Sequence, residues 1–377
     1  MREDLRLERP KRSRDDVTLG NAFATRGNSL NAIRLFLAAC VIISHSWHIG
    51  GYGPEPELIG WNLGRWALIG FFGISGYLVT MSRLAHKSSM RYVQARALRI
   101  LPGLWVCVPV VAFVIAPTTA ALTGRLYSIS DAAEFAMRNS LLLAGPLGPR
   151  PIGETLTGMP DGQLWDGPLW TLFWEAFCYL VVGICGAVFR HETFRLAISL
   201  LFAIGTTALI VISQVEDLRP WDSNGPVAPL TAFFAGAMVF CFKNRVTLRV
   251  GILVPLLIFS ILVTIIDLLN FLIILPLTLI LLLIAFVIPL QKFGSKFDIS
   301  YGMYIYGWPV QQCLALAGIQ LVSPASVFIV ISLWATLPLA WLSCALVERP
   351  ARRFGRRSHV YCPDLELTPT RTGRLSE

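Results

Sequence analysis

About ten runs of apolar residues, each close to the ~20 needed to cross a hydrocarbon core, follow one another along this 377-residue chain. Nothing else in the sequence constrains the fold so tightly. A bilayer interior offers no water to backbone N–H and C=O groups, so runs of this length must close their hydrogen bonds internally, as helices. They fall near 30–50, 66–83, 99–117, 168–189, 196–213, 228–243, 250–268, 271–290, 299–320 and 326–347, with 196–213 and 228–243 the shortest and Pro276 interrupting 271–290. Only 15% of the residues are charged and mean hydropathy is +0.62, whereas a soluble domain carries roughly 25% charged residues. The expected fold is an all-α, polytopic membrane bundle of about ten transmembrane helices.

The charges set the expected orientation. With the N-terminus in the cytoplasm, 27 of the 32 Lys and Arg residues fall on the inner side and five (Arg65, Arg125, Arg138, Arg150 and Arg219) on the outer. Such asymmetry is the positive-inside signature, and an even number of crossings returns the C-terminus to the cytoplasm. It also accounts for the net charge of +9, so the expected partner is the lipid bilayer and not nucleic acid. The division is a basic cytoplasmic arm (1–28), a membrane domain (29–347) and a basic cytoplasmic tail (348–377). The first 29 residues lack the apolar core of a secretory signal peptide. One long outer loop, 118–167, holds the Gly- and Pro-rich GPLGPRPIG at 145–153; loops of this length are usually functional or mobile. Seven of eight cysteines lie in or beside apolar runs, none in a CxxC or Cys/His pattern, so neither a disulfide framework nor a metal site is expected.

Within this frame the stretch Asn31–Tyr52, NAIRLFLAACVIISHSWHIGGY, is the anomaly, because it carries Arg34 and His45 inside a membrane-length run. Eleven residues apart, they share one helix face within about 20° and lie about 16 Å apart along it. Asn31 and His48 flank the same stripe. Ionisable groups at membrane depth usually face a bundle interior or a wet cavity and mark function. A snorkelling arginine and a satisfied core histidine are the structural alternative.

Four further stretches carry candidate chemistry. GFFGISGYL at 70–78, with Ser75, permits close helix approach or a break. In RYVQARALRILPGLW at 91–105, Arg96 and Arg99 share a face before Pro102 and suit either phosphate binding or inner-face anchoring. Glu175, in PLWTLFWEAFCYLV, lies at a depth similar to His45. It suits either orienting that imidazole for general-base catalysis or pairing with an arginine such as Arg34. DISYGMYIYGWPVQQ places Tyr301, Tyr304, Trp308 and Gln311 on one span; they line a cavity or serve as interfacial anchors.

This combination resembles the acyltransferase 3 family, the membrane O-acyltransferases of bacterial surface polysaccharides, lipopolysaccharide and nodulation factors. The resemblance rests on RLFLAACVIISHS, FFGISGYLVTMS, RALRILP, LWTLFWEAFCY, ISYGMYIYGWPVQQ and LVERPARR, in the family's order from about residue 28 to about 353. It implies a multi-pass protein of the bacterial inner membrane and an acyl-CoA donor, most often acetyl-CoA, on the cytoplasmic side. It also implies a glycan or glycolipid hydroxyl as acceptor at the outer face. His45 then matches the essential histidine, Arg34 its partner, Arg96 and Arg99 the acyl-CoA-binding pair, and Glu175 the fourth-span acid. His48, Ser75, Tyr301, Tyr304, Trp308 and Gln311 are weaker candidates to line the substrate path. Two departures stand out. Asn31 occupies a position where many members carry Asp, and Gly307 one where some carry His. The resemblance is to the stand-alone kind, in which no hydrolase-type domain is expected after the membrane part. The competing class is a transporter or flippase of a glycolipid or anionic substrate, which would show paired broken helices in two related halves. No such internal symmetry is visible.

Overall fold

Backbone satisfaction within each segment is what the computed structural model displays. It describes residues 17–25, 27–58, 61–85, 88–161, 163–213, 225–265 and 272–357, and these are mostly helical. The arm before residue 17 and the tail after 357 lie outside the described residues. A short helix α1 (Leu19–Thr25) precedes α2 (Leu30–Gly50). A two-stranded hairpin follows, β1 (Glu57–Leu58) antiparallel to β2 (Trp61–Asn62), and leads into α3 (Leu63–Ala85). Helix α4 (Ser89–Val110) continues through a π turn, Val111–Ile115, into α5 (Ala116–Thr123). Pro102 and Pro109 lie within α4, and the widened turn just after Pro109 absorbs the hydrogen bond that a proline cannot donate. Then come α6 (Ile129–Ser140), α7 (Ala144–Leu147), α8 (Trp170–Val188), α9 (His191–Ser213), α10 (Val227–Cys241), α11 (Leu253–Ile265), α12 (Ile274–Val287) and α13 (Ser300–Leu316). The chain closes with α14 (Ile319–Val322), α15 (Ala325–Leu342) and, beyond a second π turn at Ser343–Glu348, α16 (Arg349–Arg357).

Six helical runs among the described residues are long and apolar enough to cross a membrane: Leu30–Gly50, Leu63–Ala85, Ser89–Thr123, Trp170–Val188, His191–Ile212 and Ala325–Gly355. The chain is thus a helical membrane protein, with six such spans where about ten are expected. The remaining apolar segments form shorter helices. The run from 271 is helical only from Ile274, so Pro276 sits in the first turn, where its missing N–H costs no hydrogen bond. The expected outer loop 118–167 is largely structured, because α5 extends to Thr123 and the loop folds α6 and α7 within it.

The glycines of α3 explain how its polar residues reach the interior. A Cβ on Gly76 would lie 1.8 Å from the Phe233 carbonyl oxygen, and one on Gly236 1.9 Å from that of Gly73. Helices α3 and α10 therefore meet backbone to backbone, which is how membrane helices gain dispersion contact when lipid supplies no hydrophobic drive. Gly76→Ala should lower the unfolding midpoint by the equivalent of about 1–3 kcal/mol, the range for overpacking. Gly251→Ala, where nothing lies within 4 Å of the added carbon, is the control. Equal midpoints for the two variants would show that this crossing does not hold the bundle together.

The linker from α12 to α13 passes beneath the start of α2. The Ser29 hydroxyl donates to the Ile288 carbonyl (2.6 Å) and accepts from the Leu290 N–H (3.2 Å), while the Asn31 amide donates to the Gly294 carbonyl (3.2 Å). That course delivers Asp298 to the foot of α2.

Candidate active site

Two polar centres lie at opposite ends of one face of α2. At the foot, the Arg34 guanidinium donates to Asp298 Oδ2 at 3.0 Å and that of Arg99, from α4, donates to the same oxygen at 2.8 Å. The other carboxylate oxygen accepts from the Ser300 hydroxyl at 2.6 Å. Burial alone would raise the Asp298 carboxyl, but the two guanidiniums and Ser300 outweigh it and hold the carboxyl far below the usual range. Here is the partner that sequence reading sought for Arg34 in Glu175, and that Asn31 does not supply. Arg96 does not join this pair; its guanidinium lies 5.8 Å from the centre of the Tyr179 ring, with a buried Nε that has no hydrogen-bond partner.

Above this triad lies a narrow cavity of about 50 Å³ lined by Arg34, Arg99, Ser75, Glu175, Thr171, Tyr301 and Tyr304 among others. Glu175 Oε1 accepts from the Tyr179 hydroxyl at 2.5 Å and from Ser75 at 3.3 Å. The Tyr304 hydroxyl donates to the Pro168 carbonyl at 3.0 Å. Tyr301 closes the wall by donating to the Ile100 carbonyl at 2.7 Å. Ser75, Tyr301 and Tyr304 all line this cavity.

One turn further along α13, Trp308 packs edge-on to His45, ring centres 4.7 Å apart. Gln311 donates to the Ile42 carbonyl (2.8 Å) and to Ser46 (2.7 Å), fixing α13 against the histidine-bearing turns of α2. At Gly307 the two helices pass closely, since a Cβ there would come within 2.8 Å of the Ile42 side chain.

The carboxylate that faces His45 is Glu55. Its Oε1 lies 4.0 Å from His45 Nδ1, and its Oε2 accepts from the neighbouring Ser44 hydroxyl at 2.5 Å. The expected pairing of His45 with Glu175 does not occur, because Glu175 faces the inner cavity, where Ser75 and Tyr179 occupy it. His48 finds a second acid, Asp161, with Nε2 to Oδ1 at 3.4 Å. Both acids arrive on the segments that cap the C-terminal end of α2. Gly51 ends the helix in the left-handed conformation (φ 67°), and a Cβ there would lie 2.8 Å from the Pro160 ring. Asp161 and Leu164 are pinned in turn to α13, Gln312 donating to the carbonyls of Asp161 (3.0 Å) and Leu164 (2.9 Å), and Trp308 to that of Leu164 (2.8 Å). Asp166, missed by sequence reading, is 2% exposed with neither oxygen hydrogen-bonded, and burial lifts its carboxyl well above the usual range.

The comparisons with known proteins bear on what this arrangement does. The profile of the acyltransferase 3 family, described as an acyltransferase domain, matches residues 28–345. The chain belongs to the acyltransferase 3 family. It is therefore a membrane acyltransferase, and the transporter reading loses its ground. It is 28% identical over 298 residues to an O-acetyl transferase of Shigella phage Sf6, covering 76% of this chain and 85% of that protein. It is 25% identical over 360 residues to Nodulation protein 10 of Rhizobium leguminosarum bv. viciae, covering 86% of this chain and 93% of that protein. No solved structure matches.

Burial raises the Glu55 carboxyl above its usual range against the pull of Ser44, His48 and Arg65. Its ionised form, the one that steadies an imidazolium, is therefore lost on mild acidification. Glu55→Gln should slow acyl transfer about tenfold, the size of one charge-assisted contact. It should also remove the acid limb that Glu55 imposes on the pH–rate profile. A Glu55→Gln enzyme with unchanged rate and profile would exclude Glu55 as the partner of His45. The stability sign is opposite. The folded protein holds this proton more tightly than the unfolded chain does, so the carboxyl's contribution is complete below the ordinary Glu range and is lost as pH rises through its raised value.

Proposed function

We propose that this protein transfers an acetyl group from cytoplasmic acetyl-CoA to a hydroxyl of a cell-surface or exported glycan, with His45 as the general base. The observation that carries the reading is the alignment of three features along α2: a cationic foot, a cavity above it, and a histidine with a carboxylate at its outer end. Coenzyme A is a phosphate-rich head on a long thin arm, which suits that layout. Arg34 and Arg99, with Arg96 nearby, receive the head; the arm follows the cavity past Ser75 and Glu175 toward Tyr304. The thioester is delivered toward His45, at a distance matched by the ~16 Å between Arg34 and His45.

With Nδ1 turned to Glu55, His45 Nε2 is the nitrogen free to take the acceptor hydroxyl's proton. The alkoxide oxygen bonds to the thioester carbonyl carbon, the carbon–sulfur bond breaks, and the coenzyme thiolate takes the proton back from the imidazolium. A two-step route, with the acyl group first carried on the imidazole, uses the same atoms. O-acyl transfer is supported by the name of the phage relative, an O-acetyl transferase, and the glycan acceptor rests on the resemblance to the surface-polysaccharide acyltransferases. The inner-membrane location and the cytoplasmic termini are supported by the asymmetry of basic residues.

The test supplies labelled acetyl-CoA and a crude glycan extract to membranes with and without the protein. Label should reach glycan only where the protein is present. Abundant, folded protein that transfers no label from acetyl-CoA, succinyl-CoA or longer acyl-CoA would overturn the proposal.

A further inference from the structure

A second cavity opens on the side of the bundle where α3 and α10 end and α9 begins, apart from the catalytic face of α2. It has a volume of about 410 Å³ and is lined by His191, Arg195, Phe240, Phe242, Lys243 and Arg245 among others. Its chemistry is cationic over an aromatic floor. Lys243 Nζ lies 4.0 Å from the centre of the Phe240 ring, and the guanidiniums of Arg195 and Arg245 lie 4.9 and 5.6 Å from that of Phe242. The rings hold three positive charges within one pocket, although like charges repel. One acid, Glu192, reaches this group; it bonds Arg195 Nη1 at 3.1 Å but is itself 82% exposed. Arg195 Nε is buried without a hydrogen-bond partner. A buried donor left unmade is costly, so the pocket is short of an acceptor.

The back wall is built to hold this shape. The segment before α1 runs beside 246–248, the Leu19 N–H donating to the Val246 carbonyl (2.7 Å) and the Leu248 N–H to that of Val17 (2.8 Å). A Cβ on Gly20 would come 2.4 Å from Asn244 Oδ1. On the outer face of α9, Leu196, Leu200 and Ile204 follow at helical spacing, each more than half exposed. This apolar stripe runs along a membrane-spanning helix from the turn that carries Arg195.

We infer that this pocket binds the phosphate headgroup of an anionic phospholipid, whose acyl chains lie along Leu196, Leu200 and Ile204. Arg195 supplies the fork that a phosphate accepts from, Lys243 and Arg245 the remaining charge, and the stripe distinguishes a lipid from a soluble phosphate ester. Nothing in the catalytic reading is used, so the two stand or fall separately.

The test is retention of lipid by the full chain in detergent, measured by native mass spectrometry after exposure to phosphatidylglycerol or to phosphatidylcholine with the same acyl chains. Phosphatidylglycerol should be retained preferentially, with retention falling about fivefold for each cation removed in Arg195→Gln and Arg245→Gln. Arg150→Gln, on another part of the molecule, should leave it unchanged. Arg245 is exposed, so Arg245→Gln serves even if the Arg195 variant does not fold. Equal retention of the two lipids, or retention unaffected by Arg245→Gln, would overturn the inference. So would displacement of the lipid by inorganic pyrophosphate alone, which would make the pocket a site for soluble phosphates.

Discussion

His45→Ala should reduce acyl transfer by between about 100- and 10,000-fold, the contribution of a positioned general base, while the protein still folds and inserts. The side chain is about one-quarter exposed, and its removal deletes no ion pair from the foot of α2. His45→Gln, which keeps a polar group against Trp308 and Glu55, should be equally inactive, because an amide accepts no proton near neutral pH. The measurement is the initial rate of label transfer from acetyl-CoA to glycan at matched protein levels. Comparable rates in wild type and both variants would remove His45 from the chemistry. Incubation with labelled donor and no acceptor separates the two routes of transfer. Label trapped on the wild-type chain and absent from His45→Ala identifies an acyl-histidine, whereas none on either identifies direct attack on the thioester.

How much of this was legible in the sequence depends on where each residue sits. Arg34, His45 and Glu175 announce themselves because a charged or titratable group in an apolar run is costly and needs a reason. Arg99 is readable through its spacing from Arg96, yet spacing could not say that one faces a carboxylate and the other a tyrosine ring. Glu55 and Asp161 carry no such mark. They belong to polar connecting segments where acids are ordinary, and only the cap at Gly51 and the anchoring of Asp161 and Leu164 to α13 bring them to the histidines. Assigning Glu175 to His45 was an argument from depth alone, and depth does not fix which helix face a side chain occupies. The number of crossings is not fixed by apolar length for a related reason. Apolar length identifies a segment suited to the membrane, but where its helix begins and ends is set by turns such as that before Ile274. Asp298 did leave a signal, being the sole acidic residue between Asp267 and Glu348, just ahead of an apolar run in a basic neighbourhood.

The greatest loss of stability should follow from Asp298→Ala. Arg34 and Arg99 are each less than one-fifth exposed and share a single Asp298 oxygen at 3.0 and 2.8 Å. Removing that oxygen leaves two like charges facing each other in a poorly solvated place. Breaking a buried pair by deleting one partner costs about 3–5 kcal/mol, and here one deletion orphans two cations. Asp298 also receives the Ser300 hydroxyl at the first turn of α13, so the helix bearing Tyr304 and Trp308 should loosen with it. Activity should therefore fall with stability in Asp298→Ala. In the double variant Asp298→Ala/Arg34→Gln stability should recover in part, since one unpaired cation is gone, while activity stays low because the foot of α2 has lost its charge. Because the folded carboxyl titrates well below the unfolded one, its stabilisation is fully present above the ordinary Asp range and fades only as pH falls through the lowered value. Unfolding midpoints of wild type and Asp298→Ala should thus differ by a constant amount between roughly pH 5 and 8. A difference that varied across that window, or a double variant no more stable than the single, would mean that Asp298 does not hold the two arginines together as a unit.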